Sequence, residues 1–305
     1  MAPKLLITGR NGQLGRALTQ SLAPLGELVA LGRAEADFLN PQGVLAALEA
    51  AKPDVVVNAA AWTKVDLAES SPQEARQTNA LTPAALAGWA KSRGAVFVGY
   101  STDYVFDGAK SSPYSELDTP NPLNVYGQTK LEGDLAVLAQ NDRSYVFRTS
   151  WVYSTQGQNF PKTILRLALA QPRLAINDDQ TGAPTSAEFL AAATSQALAD
   201  CLNGRPGPPG LYNLTASGAT TWLGFAERLL AQARALGLPL PPTTQIAPTY
   251  GPDPSRPAKR PLNSRLDTAK AQRQLGLVCP PWQDGVDQFL ARLAKSDPEL
   301  KTLRP

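Results

Sequence analysis

Tyr126-Gly-Gln-Thr-Lys130 sets a phenol and an ammonium four positions apart in a chain of 305 residues that contains no histidine. Proton chemistry near neutral pH must then come from another side chain whose pKa the fold shifts. A phenol ionises near pH ~10, and a neighbouring positive charge favours the phenolate. Residues four apart on a helix share one face on adjacent turns, so both can reach one ligand. The pair suits an acid–base tyrosine, and equally a loop residue ahead of an ordinary helix, so its surroundings must decide. The second candidate is Thr102, in Ser101-Thr-Asp-Tyr-Val-Phe106. At the end of a strand its hydroxyl could hydrogen-bond a carbonyl that is becoming an alkoxide.

A third group is Gly9-Arg-Asn-Gly12-Gln-Leu-Gly15. Glycines allow a tight turn and a close backbone approach to a pyrophosphate, whose charge the amides and dipole of a helix end favour. The spacing is GxxGxxG rather than the commoner GxGxxG. The next strand candidate ends Leu31-Gly32-Arg33. An acidic residue there would bind the ribose hydroxyls, whereas Arg33 suits a 2′-phosphate, so NADP(H) is expected over NAD(H). Asp37 and Phe38 follow at the adenosine end, and Asn58-Ala-Ala-Ala61 offers small side chains for a cofactor to lie across. Late in the chain Arg256, Lys259, Arg260 and Arg265 gather. They read either as a solvated loop or as a clamp for an anionic ligand.

These residues need a scaffold. Strand candidates are 4–8, 27–32, 54–58, 95–101 and 144–149, alternating with helical stretches near 14–23, 42–51, 72–92 and 126–138. Several strands, such as that holding Val55-Val-Val57, are apolar without alternation, as when both faces of a sheet are covered. The alternation predicts an α/β, doubly wound parallel sheet of Rossmann type. Beyond residue 155 helices at 160–170, 187–200 and 221–236 are separated by Pro- and Gly-rich connectors, with a returning strand at 210–214. Residues 1–155, plus a return near 185–215, are expected to form the NADP(H)-binding unit. Residues 156–184 and 216–305 are expected to form a smaller, mostly helical substrate lobe, with the ligand in the cleft between.

The composition excludes other classes. A formal charge of +3 is too small to argue for nucleic acid. No apolar run approaches the roughly 20 residues of a membrane span, and the opening residues read as a strand rather than a signal peptide. Two isolated cysteines, with no histidine, suit neither a disulfide framework nor zinc, and a cytoplasmic location is expected.

With these residues assembled, the chain resembles the extended short-chain dehydrogenase/reductases, and within them the dTDP-4-dehydrorhamnose reductase family. The likeness rests on Asn58-Ala-Ala-Ala-Trp-Thr-Lys-Val-Asp-Leu-Ala-Glu69, Ser101 to Phe106, Pro122-Leu-Asn-Val-Tyr-Gly127, Arg148-Thr-Ser-Trp-Val-Tyr153, Thr181-Gly-Ala-Pro-Thr185, Gly210-Leu-Tyr212 and Asn263-Ser-Arg-Leu266. It implies reduction of the 4-keto group of a dTDP-sugar by NADPH or NADH. By the resemblance Gly12, Gln13 and Leu14 of the Gly9–Gly15 turn approach the pyrophosphate, Asp37 and Phe38 lie at the adenosine end, and Ala61, Trp62 and Thr63 line the cofactor further along. Tyr126 donates the proton, and Lys130 binds the nicotinamide ribose and lowers the tyrosine pKa. Thr102, Asp103, Val105, Phe106, Trp151 and Arg260 would meet the substrate. Trp62 stands where the family commonly has histidine. Some members dimerise through glutamate-held magnesium; Glu188 matches one such position but Ala17 occupies another, so a homodimer is an expectation and a Mg2+ site is not.

Rival readings are a nucleotide-sugar epimerase or dehydratase of the same fold, or a regulatory subunit like that of methionine adenosyltransferase. A dehydratase places Asp-Glu after its threonine, whereas Tyr104 follows Asp103 here.

Overall fold

The computed structural model describes residues 2–241, 244–253 and 255–296. Six strands form one parallel sheet: β1 (Lys4–Thr8), β2 (Glu27–Leu31), β3 (Val55–Asn58), β4 (Val96–Thr102), β5 (Ser144–Thr149) and β6 (Gly210–Asn213). Their order is β6-β5-β4-β3-β1-β2. The order in which strands are added reverses at β1, which is paired in parallel to both β2 and β3, so a ligand crevice opens beyond the carboxyl ends of β1 and β3.

Period-2 alternation explains the two covered faces. Leu5, Ile7, Val55 and Val57 point to one face, where α1 (Gln13–Leu22) packs through Leu18 and Leu22. Leu6, Val56 and Phe97 point to the other, against Val44 and Leu48 of α2 (Pro41–Ala51) and Leu86 of α3 (Thr82–Ser92). Each such buried side chain contributes about 1.5–3 kcal/mol. The stretch expected as one helix over 72–92 is interrupted by a wide, π-type turn at Gln77–Leu81, a device frequent at functional sites. It carries the buried Asn79, used below.

The next helix is α4 (Val125–Gln140), capped by the Asn124 side chain accepting from the Gly127 amide at 2.8 Å. A Cβ at Gly127 would lie 2.1 Å from the Tyr104 carbonyl oxygen. Glycine is therefore what lets the first turn of α4 press onto the end of β4.

Beyond α4 come α5 (Phe160–Ala170), α6 (Ala187–Leu202), α7 (Trp222–Ala235), α8 (Ala269–Leu275) and α9 (Trp282–Ser296). α6 joins α1 on the first face of the sheet through Leu190 and Ala191. α5, α7 and α9 build a separate core of Ile164, Phe225, Leu229, Val286, Phe289 and Leu290. Two parallel strands, Arg173–Asn177 and Gln245–Thr249, edge that core. The sequence reading did not anticipate them, because Pro248 breaks the pattern of the second and both are short. None of the described helices is long and apolar enough to cross a membrane.

Candidate active site

Tyr126, Lys130 and Thr102 converge because the carboxyl end of β4 abuts the first turns of α4. The Thr102 hydroxyl meets the Tyr126 phenol and also donates to Asp103 Oδ1 at 3.1 Å. Tyr126 is half-buried as a residue, but its hydroxyl is the deep end. Burial pushes its pKa well up; the Thr102 bond opposes this, while the charges of Asp103 and Asp134 add to it. This differs from the expected lowering by Lys130. The lysine ammonium is instead turned to the carbonyl oxygen of Tyr100, at 2.5 Å, and its facing charge is Asp134. The phenol therefore stays protonated through neutral pH, the form a proton donor needs. The Tyr104 ring meets that of Tyr126 edge-on, centroids 5.6 Å apart.

Asp103 is buried, and its pKa is pushed up to about 6 by that burial, against hydrogen bonds from Ser264 and Thr102. Its Oδ2 has no hydrogen-bond partner among the described residues. A buried carboxyl oxygen left without a donor beside Tyr126 marks a place for a ligand hydroxyl.

The glycine turn fits a dinucleotide. Gly9 has φ +77°, and a Cβ on Gly15 would lie 2.0 Å from the Gly9 carbonyl oxygen. No side chain caps α1 at Gly12, so the amides around Gln13 and Leu14 open toward a pyrophosphate-sized anion. Gln13 Oε1 accepts from Asn159 Nδ2 at 2.8 Å. At the end of β2, Arg33 is largely exposed and within 3.8 Å of Asp37. Phe38 differs from expectation: its ring lies in the core beside Val44 and Leu48, since it is the apolar residue leading into α2. Ala61 and Thr63 are exposed beyond β3, and the Trp62 amide is held by Asn79 Oδ1 at 2.8 Å.

Of the residues expected to meet the substrate, Trp151 follows β5 and lies against Trp222. Arg260 is tied to Asp66 at 2.6 Å, and its charge and that of Arg256 reach Tyr104. Lys259 is exposed, and its carbonyl oxygen accepts from Asn124 Nδ2 at 2.7 Å. Arg265 turns away, donating to Asn263 Oδ1 at 2.8 Å. Val105 and Phe106 do not line the cleft. Both are fully buried, Phe106 stacked on Tyr114 at 4.2 Å, because an apolar pair at the strand end packs inward. Glu188 is 3.7 Å from Arg292, and the adjacent Ala17 brings no oxygen. These residues do not fit a divalent cation.

Several contributing residues escaped the sequence reading. Glu35 accepts from the Gly32 amide at 2.9 Å and from Arg10 at 2.8 Å, shaping the adenosine end. Asp134 and Arg148 form a buried ion pair behind Lys130, 3.1 Å apart. A signal existed for both: Asp134 lies one turn beyond Lys130, and Arg148 is a charge inside an apolar strand, which demands a partner.

The chain matches the family model described as the RmlD substrate binding domain over residues 3–295. It is 46% identical over 293 residues to a dTDP-4-dehydrorhamnose reductase of Escherichia coli K12, covering 95% of this chain and 97% of that protein. It is 44% identical over 287 residues to the reductase of that name from Burkholderia thailandensis, covering 93% and 96%. Among solved structures, the dTDP-4-dehydrorhamnose reductase of Bacillus anthracis in complex with NADP superposes with a TM-score of 0.88 at 29% identity, over 96% of this chain and 100% of that one. Family model, near full-length identity and a shared fold thus agree, and the chain belongs to the RmlD substrate binding domain family.

Proposed function

We propose that the chain reduces the 4-keto group of dTDP-4-dehydro-β-L-rhamnose with NADPH, or NADH, to give dTDP-L-rhamnose. The observation that carries this reading is the meeting of Thr102 with Tyr126 at the carboxyl end of β4, with Lys130 one turn further along the Tyr126 helix and bonded to the Tyr100 carbonyl of β4, in a chain 46% identical to a protein of that name. NADPH supplies the hydride when bound. The open amides at Gln13 and Leu14 would hold its diphosphate, Arg33 its 2′-phosphate, and the Lys130 ammonium the nicotinamide ribose hydroxyls. Thr102 and Tyr126 would orient the sugar C4 oxygen. As charge develops on that oxygen, the Tyr126 phenol gives up its proton to it.

We assign 1–155 with 185–215 to the cofactor and 156–184 with 216–305 to the sugar nucleotide. Arg260 and Arg256, beside Tyr104, suit the diphosphate of that substrate. The work would be done in the cytoplasm on a free nucleotide sugar. The test is NADPH oxidation, followed by absorbance, with dTDP-4-dehydrorhamnose and with its UDP analogue. Oxidation with the dTDP sugar is expected; none with either sugar would overturn the reading.

A further inference from the structure

We infer that Asp134 is a positioning residue for the Tyr126–Lys130 pair: its carboxylate ties their helix to the strands that carry Thr102 and Arg148 and sets a negative charge opposite the Lys130 ammonium. The inference rests on the reductase reading above and deepens it.

Asp134 lies one helical turn beyond Lys130 and two beyond Tyr126, and is 4% exposed. Its Oδ2 accepts from Ser101 Oγ at 2.8 Å and from Arg148 Nε at 3.1 Å. Ser101 is the neighbour of Thr102 on β4, and Arg148 pairs with Ser101 across β4 and β5. One carboxylate oxygen thus fixes α4 against both strands, and with them the approach of Thr102 to Tyr126. The Arg148 guanidinium is 2% exposed and lies 5.2 Å over the Phe106 ring. Burial raises the Asp134 pKa, against the charges of Arg148 and Lys130 and the hydrogen bonds from Ser101 and Arg148; the guanidinium in direct contact with Oδ2 favours the carboxylate.

Lys130 and Asp134 line one small cavity of about 20 Å3 with Asn58, Asn79 and Gly133. That is room for about one water, so their attraction is little screened. Burial favours the neutral amine of Lys130, and Asp134 is the charge that opposes this. The other charged or titratable groups around the pair are Asp103 and Tyr126 toward the cleft and Arg148 on β5. The Tyr100 hydroxyl is turned away to Thr194, 2.7 Å distant.

The experiment follows NADPH dissociation by fluorescence between pH 7 and 10, a range above the titration of the cofactor's own phosphate. In wild type, affinity falls only where Lys130 loses its proton. In Asp134→Asn that break is expected to move down by about one pH unit or more, so the variant binds about fivefold more weakly than wild type at the wild-type break and about tenfold more weakly above it. Asp134→Glu is expected to restore the break, and Lys130→Met to abolish it. Asp134→Asn leaves Arg148 unpaired, so the double variant Asp134→Asn/Arg148→Met supplies a neutral, folded background. If the break returns to its wild-type pH in that double variant, Asp134 merely pairs Arg148 and the inference is overturned. It is equally overturned if Asp134→Asn binds NADPH with wild-type pH dependence. Because the readout is binding, a wild type that fails to reduce the dTDP sugar would sink the proposed function and leave the Asp134 result legible.

Discussion

The Trp151 indole lies flat on that of Trp222, ring centroids 3.6 Å apart and planes 10° apart. Trp151 has a left-handed backbone, φ +48°, which costs a bulky residue of order 1–3 kcal/mol. A Cβ on Gly182 would come within 2.5 Å of its ring. Neighbours on separate segments thus hold one strained aromatic in place just beyond β5. Such a stack contributes about 0.5–1.5 kcal/mol beyond its buried area. Trp222→Ala is therefore expected to raise the KM for the sugar nucleotide several-fold, while NADPH affinity is unchanged. Equal losses in both would mean that the stack supports the whole fold rather than the sugar end.

Tyr126→Phe keeps the ring, its edge contact with Tyr104 and the packing of α4, and removes only the phenolic proton. Turnover should fall by about 10²–10⁴, with the NADPH dissociation constant within about twofold of wild type. A variant that turns over near the normal rate would take the proton-donor role away from Tyr126.

The sheet was legible in the sequence because a parallel strand buried on both faces announces itself, as at Val55-Val56-Val57. The glycine turn, Thr102 and the Tyr126–Lys130 pair were legible because their spacing carries the geometry. The direction of the Tyr126 pKa was not. It depends on how deeply the phenol is buried and on which way the Lys130 ammonium turns, and sequence spacing fixes neither. Val105 and Phe106 were misplaced for a related reason: a motif shows that residues travel together, not which of them faces the cleft. The strand pair Arg173–Asn177 and Gln245–Thr249 was hidden because its partners are distant in sequence and neither run has a strong period.

Asp103 gives a pH signature whose sign can be worked out. Its carboxyl has an ordinary pKa of 3.8 and a folded value of about 6, raised by burial. The native state therefore binds more protons than the unfolded chain between these values. The stability this confers is fully present below pH 3.8 and is lost as the pH rises through about 6. The loss is of order 3 kcal/mol. Asp103→Asn, which cannot ionise, should lack this component. Urea denaturation of the two proteins from pH 4 to 7 measures it as a difference that grows with pH in favour of the variant. Parallel stabilities across that range would show that Asp103 titrates normally.

Arg260 meets Asp66 at 2.6 Å, with side chains 14% and 39% exposed. The same loop donates the Ala258 amide to Asp66 Oδ1 at 3.3 Å and accepts from Asn124, the cap of α4, through the Lys259 carbonyl. A guanidinium already oriented by a carboxylate can exchange that partner for phosphate oxygens, since both bind in the same forked geometry. Arg260→Ala should then raise the KM for the sugar nucleotide about tenfold or more and lower kcat much less, because the diphosphate lies away from the reacting carbon. Asp66→Asn releases the guanidinium without removing it, and should leave the KM equal to wild type or lower. Steady-state kinetics on both variants separates two roles for Arg260. If both substitutions raise the KM alike, the pair serves to hold the loop, and Arg260 does not touch the substrate.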